Sequence, residues 1–327
     1  MTILGVNANN LLNKIDSFKN WLKEKSPAIF IVQETKVPTL GQLKTISNQF
    51  QIYEQIRENN PGLGGGICIG VSKNLHSTLL REGGVDVECI SVLVEVGQHE
   101  IVVVCGYGPQ ENAGLAKKES FWHYLEREVE EASREDKMLV IQMDSNSWLG
   151  KNTIPGDPNL IPNSNGKMFA SFLQRNSNIT LVNSLAECEG VITRQRVTDL
   201  LNEKSSIDVF LVCERTLPFV KKMFIDEKRE SPLTNFHNLK KGKKITETDH
   251  NKLELFLNIE APTIKPIREV LFNFKSEHNQ KVFHEISSDS EKLRNSFKLN
   301  QDLQHQATIF EKTLNNLFFS VFSEDKG

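Results

Sequence analysis

The spacing of the short apolar runs constrains this chain most. Runs at 90–96 and 101–107 are joined through Gly97-Gln98-His99, far short of the roughly dozen residues that a crossover between parallel strands requires. A purely parallel, doubly wound sheet does not place strands that way, so mixed or antiparallel sheets packed face to face are expected. Other β-rich runs fall at 3–6, 29–32, 66–71, 138–143, 180–183, 207–213 and 253–258. Between them, 11–25, 115–134 and 167–176 carry apolar residues at helical spacing. Strands interleaved with covering helices predict an α/β layered class.

The texture changes after residue 257. Ala261-Pro262 and Lys265-Pro266 punctuate a short linker, and beyond it Phe272, Phe283, Ile286, Leu293, Ile309, Leu314 and Phe318 recur at helical spacings. The expectation is one large domain over 1–260 and an amphipathic helical extension over 261–327. With 38% hydrophobic and 25% charged residues in 327, there is enough apolar material for a sizeable core.

The formal net charge of -3 supplies no global positive field, so any nucleic-acid surface must be local. Five cysteines, Cys68, Cys89, Cys105, Cys188 and Cys213, are widely separated and lack metal-ligand spacing. They read as reduced thiols of an intracellular protein. No apolar run reaches the roughly 18–20 residues of a membrane span, and no signal-like N-terminus is seen. A nuclear or cytoplasmic protein, neither secreted nor membrane-bound, is expected.

Acidic and amide residues recur at the ends of the strand-like runs: Asn7 and Asn9, Gln33-Glu34-Thr35, Asp144 and Asn146, and Asp249-His250 just before the last run. Asp208 belongs with them but lies near the start of its run. Singly, each is more often a solvated turn residue or an Asx cap; their gathering, in this order and each at a strand edge, points to hydrolysis of a phosphate ester. The negative charge of such an ester is stabilised by a hard divalent cation held by carboxylates. Glu34 is the first expected metal ligand, with Asp249, Asn7 and Asn9 near it. A water that must lose a proton calls for an imidazole oriented by a buried carboxylate, roles that fall to His250 and Asp208. Asp144 and Asn146 would align the water or leaving group, and Tyr107 and Asn146 would donate hydrogen bonds to phosphate oxygens.

Val6-Asn7-Ala8-Asn9, Gln33-Glu34-Thr35, Gly106-Tyr107-Gly108-Pro109, Met143-Asp144-Ser145-Asn146, Ser206-Ile207-Asp208 and Thr248-Asp249-His250 resemble, in order, the motif series of the endonuclease/exonuclease/phosphatase superfamily. Within it, the chain is similar to the apurinic-like endonuclease domain of non-LTR retrotransposons. The resemblance covers residues 1–260. It implies a four-layered α/β sandwich of two packed mixed β-sheets flanked by helices, use of Mg2+ or Mn2+, and nicking of one DNA strand to leave a 3′-hydroxyl. It also implies that the C-terminal helical tail precedes a reverse transcriptase domain in a longer polyprotein. Three departures stand out. Met143-Asp144-Ser145-Asn146 replaces a common Gly-Asp-Phe-Asn, Thr248 replaces a Ser, and Asn9 stands where repair enzymes often carry an acid. The last removes one negative charge and favours the retroelement type over a repair nuclease.

Two segments supply local positive charge: Lys240-Lys241-Gly242-Lys243-Lys244, shortly before Asp249, and a stretch with Arg194 and Arg196 that predicts a projecting hairpin before the Asp208 run. In the nucleases that the chain resembles, such a hairpin probes the minor groove. Gly62-Leu63-Gly64-Gly65-Gly66 has no following Lys-Ser/Thr and reads as a turn rather than a phosphate loop. Two rivals to a DNA endonuclease remain: the same fold acting on a phospholipid or inositol phosphate, and a catalytically silent nucleic-acid-binding protein.

Overall fold

A computed structural model describes residues 1–57, 64–197, 202–230, 232–234 and 247–261. The lysine cluster 240–244 and, apart from Ala261, the expected helical extension lie outside them. Strand β1 (Thr2–Asn7) runs through helix α1 (Ile15–Lys25) to β2 (Ile29–Gln33), followed by β3 (Phe50–Gln55), β4 (Ile67–Ser72), β5 (His76–Glu82), β6 (Glu88–Val96) and β7 (His99–Tyr107). Helix α2 (Leu115–Arg134) leads into β8 (Met138–Asp144), and α3 (Ser164–Arg175) into β9 (Ile179–Leu181). Then come β10 (Cys188–Glu189), β11 (Arg194–Val197), β12 (Asn202–Ser205), β13 (Asp208–Cys213), β14 (Val220–Ile225) and β15 (Leu253–Leu257).

One mixed sheet has seven strands in the order β10-β14-β15-β1-β2-β4-β3, and the other six in the order β5-β6-β7-β8-β13-β9. The β6–β7 hairpin closes with Val96 opposite His99, as the short Gly97 linker demands, and Gly97 takes a positive φ. β11 and β12 form the expected hairpin, Arg194 opposite Ser205.

Alternation along the strands builds three apolar layers. Ile3, Ile29, Ile31, Val103, Val140, Phe210 and Leu255 fill the space between the two sheets. Their neighbours Leu4, Phe30 and Val32 turn outward to meet Phe18, Trp21 and Leu22 of α1, which recur at helical spacing on one face. On the other side Val102, Val104, Leu139 and Ile141 meet Phe121, Trp122 and Leu125 of α2 and Phe169 and Phe172 of α3. Helix, sheet, sheet, helix is the four-layered sandwich. All five cysteines are free, and all but Cys188 are buried in these layers.

Candidate active site

Period-two alternation decides which side chains end at the top of the inter-sheet layer. In β1, Ile3 faces the opposite sheet, so Asn7, four residues on, faces the same way; Ile29 and Ile31 place Gln33 likewise. By the same count Val103 and Cys105 set Tyr107, Met138 and Val140 set Asp144, and Phe210 and Val212 set Asp208. Register aligns these residues across the strands. Asn7 pairs with Gln33 in parallel strands, Tyr107 pairs with Asp144 in parallel strands, and Asp208 pairs with Asp144 in antiparallel ones. The antiparallel pairing explains why Asp208 begins its strand while Asp144 ends one.

The polar atoms then close on one another. The Asn7 Nδ2 donates to Asp144 Oδ2 at 2.8 Å and to Glu34 Oε1 at 3.1 Å, bridging two carboxylates from different sheets. Tyr107 donates its hydroxyl to the same Glu34 oxygen at 2.9 Å. Glu34 leaves β2 in a left-handed conformation, φ 50°, and Thr35 N–H donates to Gly66 O at 3.0 Å, so the glycine-rich turn braces the Glu34 segment. His250 Nδ1 lies 2.9 Å from Asp208 Oδ2 and 3.1 Å from Oδ1. An ionised carboxylate only accepts, so Nδ1 carries the proton. Its Nε2 stands 4.0 Å from Asp144 Oδ2 and 3.9 Å from Asp249 Oδ1. Thr248 donates its hydroxyl to Asn7 O at 2.7 Å, tying the Asp249-His250 turn to the end of β1.

Asn146, also left-handed at φ 48°, takes its backbone N–H to Asp144 Oδ1 at 3.0 Å and donates Nδ2 to Gly108 O at 2.8 Å. Arg194 is turned inward, with its Nε donating to Asp249 Oδ2 at 2.9 Å. Asn7 Oδ1 accepts from Asn9 N–H at 3.0 Å, and Asn9 Oδ1 accepts from Lys36 Nζ at 2.7 Å. The amide oxygens expected to face a cation are therefore engaged inside the protein. Lys36 Nζ also lies 2.9 Å from Glu34 Oε2. Sequence reasoning missed Lys36, although it stands two residues past Glu34 in the same turn. It missed Thr193 too, whose Oγ1 accepts the N–H groups of Ile207 and Asp208 at 2.9 Å each. A third omission is the buried pair beneath the site, Gln33 Nε2 donating to Gln142 Oε1 at 2.6 Å across the sheets.

Glu34, Asp144, Asn146, Asp249, His250, Arg194 and Arg196 line one cleft of about 880 Å³. Its electrostatics reflect crowded negative charge. Burial and the neighbouring Asp208 push Asp144 up to about 7. Burial opposes the charged form of His250, but Asp208, Asp144 and Asp249 together raise it to about 9. Burial would raise Glu34 as well, yet hydrogen bonds from Lys36 and Asn7 hold it below the usual carboxylate range. Asp249, also opposed by burial, is held low by His250 and Arg194. Among the described residues Asp144, Asp208 and His250 form a His/Asp group whose ligand atoms lie within 4.8 Å of one another. Asp208 and His250 are committed to each other, while Glu34 and Asp249 on the cleft lining are each paired with a cationic side chain, Lys36 and Arg194.

Three solved structures share this architecture. The endonuclease domain of TRAS1, a telomere-specific non-LTR retrotransposon, superposes with a TM-score of 0.56 at 16% identity, over 79% of this chain and 99% of that one. A 3′-5′ exonuclease (NExo) from Neisseria meningitidis gives 0.56 at 15% identity over 79% and 100%. The AP endonuclease LMAP from Leishmania major gives 0.60 at 12% identity over 78% and 87%. At these identities the likeness shows a shared fold, the endonuclease/exonuclease/phosphatase-like fold. No protein-family model matches the sequence, and no curated protein matches it. The six segments that resemble the superfamily's motif series sit at strand ends or in the adjoining turns on one rim of this sandwich.

Proposed function

We propose that the chain is a divalent-metal-dependent endonuclease that hydrolyses a phosphodiester in one strand of DNA and leaves a 3′-hydroxyl. The observation that carries this reading is the shared cleft in which the His250–Asp208 pair faces Asp144, Asn7 and Glu34. His250, its Nδ1 committed to Asp208, takes the proton of the attacking water at Nε2. The water oxygen bonds to phosphorus as the bond to the 3′ oxygen breaks, and that oxygen takes a proton from solvent to leave as the 3′-hydroxyl. Asp144 and Asn146 align the water and the leaving oxygen, while Tyr107 and Asn146 donate to the phosphate oxygens.

The donor set fits Mg2+ or Mn2+: Glu34 and Asp249 offer carboxylate oxygens on the lining of one cleft, and Asp144, raised by burial and then by the neighbouring Asp208, adds a buried charge that a cation would relieve. Such an ion, when bound, neutralises phosphate charge and lowers the affinity of His250 for a proton. Asn7 and Asn9, engaged as they are, orient Glu34 and Lys36 around it. Arg194 steadies Asp249, and Arg196 with Lys240, Lys241, Lys243 and Lys244 contacts backbone phosphates. The likeness to the TRAS1 domain and Asn9 in place of an acid support a retroelement origin, with residues 1–260 as the catalytic unit and a reverse transcriptase following 261–327.

Plasmid nicking tests the proposal. Supercoiled DNA should relax with magnesium and stay intact with chelator or with His250→Ala. Nicking that survives loss of His250 rules out the assigned chemistry.

A further inference from the structure

The chain has three tryptophans. Trp21 and Trp122 are 2% and 4% exposed under α1 and α2, whereas Trp148 is 45% exposed and lines the cleft beside Asn146 and Asn163. The loop that presents it is pinned. Trp148 N–H donates to Asn163 Oδ1 at 3.1 Å, the same oxygen that caps α3 by accepting from Gly166 N–H at 2.7 Å. A β-carbon on Gly166 would collide with the carbonyl oxygen of Trp148, so only glycine lets the loop lie this close to the helix. Farther on, Lys151 N–H donates to Asn159 O at 3.0 Å, and Asp157 Oδ1 accepts both N–H and Nδ2 of Asn159 at 3.0 Å. Leu160 and Ile161, 65% and 76% exposed, pass with their backbone against Gly150, two residues beyond Trp148. The outcome is a fixed indole shelf at the rim of a cleft lined mostly by charged and amide side chains.

The flat face of an indole held open in a pinned loop stacks with any nucleobase. The cleft divides by chemistry in the way a nucleotide does. Arg196 is an exposed cationic lining group suited to phosphate, while Trp148 offers apolar surface suited to a base.

We propose that Trp148 is a base-stacking platform, holding one unstacked nucleobase of the strand beside the phosphate to be cut. This rests on the nuclease reading of the cleft. The base must leave its duplex stack to reach the indole, so mismatched or unpaired positions are preferred cutting sites.

The experiment follows tryptophan emission of the full chain carrying His250→Ala, which prevents cutting, during titration with a short single-stranded DNA of mixed sequence. Inorganic phosphate serves as the control, and anisotropy of the same labelled DNA reports binding independently. The DNA should quench emission saturably, phosphate should not, and Trp148→Phe should abolish most of the change while binding within about threefold of the parent. Trp148→Ala should bind about tenfold more weakly, the loss of one base–aromatic stack. In the active protein the same substitution should raise KM and leave kcat nearly unchanged. DNA that binds without quenching, or Trp148→Ala that binds as the parent does, overturns the proposal. So does an emission change that tracks protein concentration and ignores DNA, the sign of a second copy on the shelf. Quenching that persists in a protein unable to nick plasmid sinks the nuclease reading alone.

Discussion

Nδ1 of His250 stands 2.9 Å from Oδ2 of Asp208, and both groups are buried at the end of the inter-sheet layer. The carboxylate fixes one tautomer of the ring and leaves Nε2 to face the cleft. His250→Ala should lower the nicking rate by ~10²–10⁴, the usual worth of a positioned base. Asp208→Asn should cost nearly as much, because its amide would favour the other tautomer. Residues that act as a unit lose their function together, so the double variant should be no slower than the worse single one. Losses that multiply in the double variant would separate the two roles.

Lys36 makes a different prediction, since its ammonium touches Glu34 Oε2 and Asn9 Oδ1 at 2.9 and 2.7 Å. It orients Glu34 but also places a positive charge beside the oxygens proposed to hold a cation. Lys36→Met should therefore bind manganese more tightly in calorimetry while its kcat falls. Glu34→Gln should weaken manganese binding and raise the magnesium concentration needed for half-maximal nicking. Equal metal affinity in all three proteins would remove Glu34 from the metal site.

Much of this was legible because burial on both faces writes long apolar runs. Val102–Val104 and Leu139–Ile141 read as strands with no structural help, and the polar residue that ends each run marks the rim. β5, with His76, Thr78, Arg81 and Glu82 on a sheet edge, and β14, with Lys221 and Lys222 inside it, were missed because their polar side chains break that signal. Contacts between distant segments were invisible for a different reason. Nothing local in Gln33 or Gln142 announces that the two amides meet across the sheets, and Arg194 reads as a phosphate contact until the antiparallel bridge to His250 brings it against Asp249.

Gly108 tests how tightly the rim is packed. Its N–H donates to Asp144 O at 2.7 Å, and a β-carbon there would run into the carbonyl oxygen of Ser145. Gly108→Ala should push the Asp144–Asn146 turn out of place, costing roughly 1–3 kcal/mol of stability and about tenfold or more in nicking rate, as small displacements of reacting groups do. Gly84, where an added β-carbon meets nothing and which caps no helix, is the matched control and should tolerate alanine. Thermal melts and kcat measured on both variants decide the comparison.

Lys252 should give the protein a pH signature unrelated to catalysis. The side chain is buried with its ammonium 4.9 Å above the ring of Trp21. Burial lowers it from 10.5 to about 8, against the opposing pull of Asp226, Glu24 and Glu254. Between those two values the unfolded chain holds a proton that the folded one has released, so this residue makes stability rise with pH across that window. Below about 8 the folded protein carries a buried ammonium whose desolvation cost Asp226, Glu24 and Glu254 offset only in part. Lys252→Met, similar in length and uncharged, should melt a few degrees higher than the parent at pH 7, and its advantage should shrink as pH climbs past 8 toward 10. An advantage that stays constant over that range would mean the ammonium is solvated, and the burial account of its low affinity for protons would be wrong.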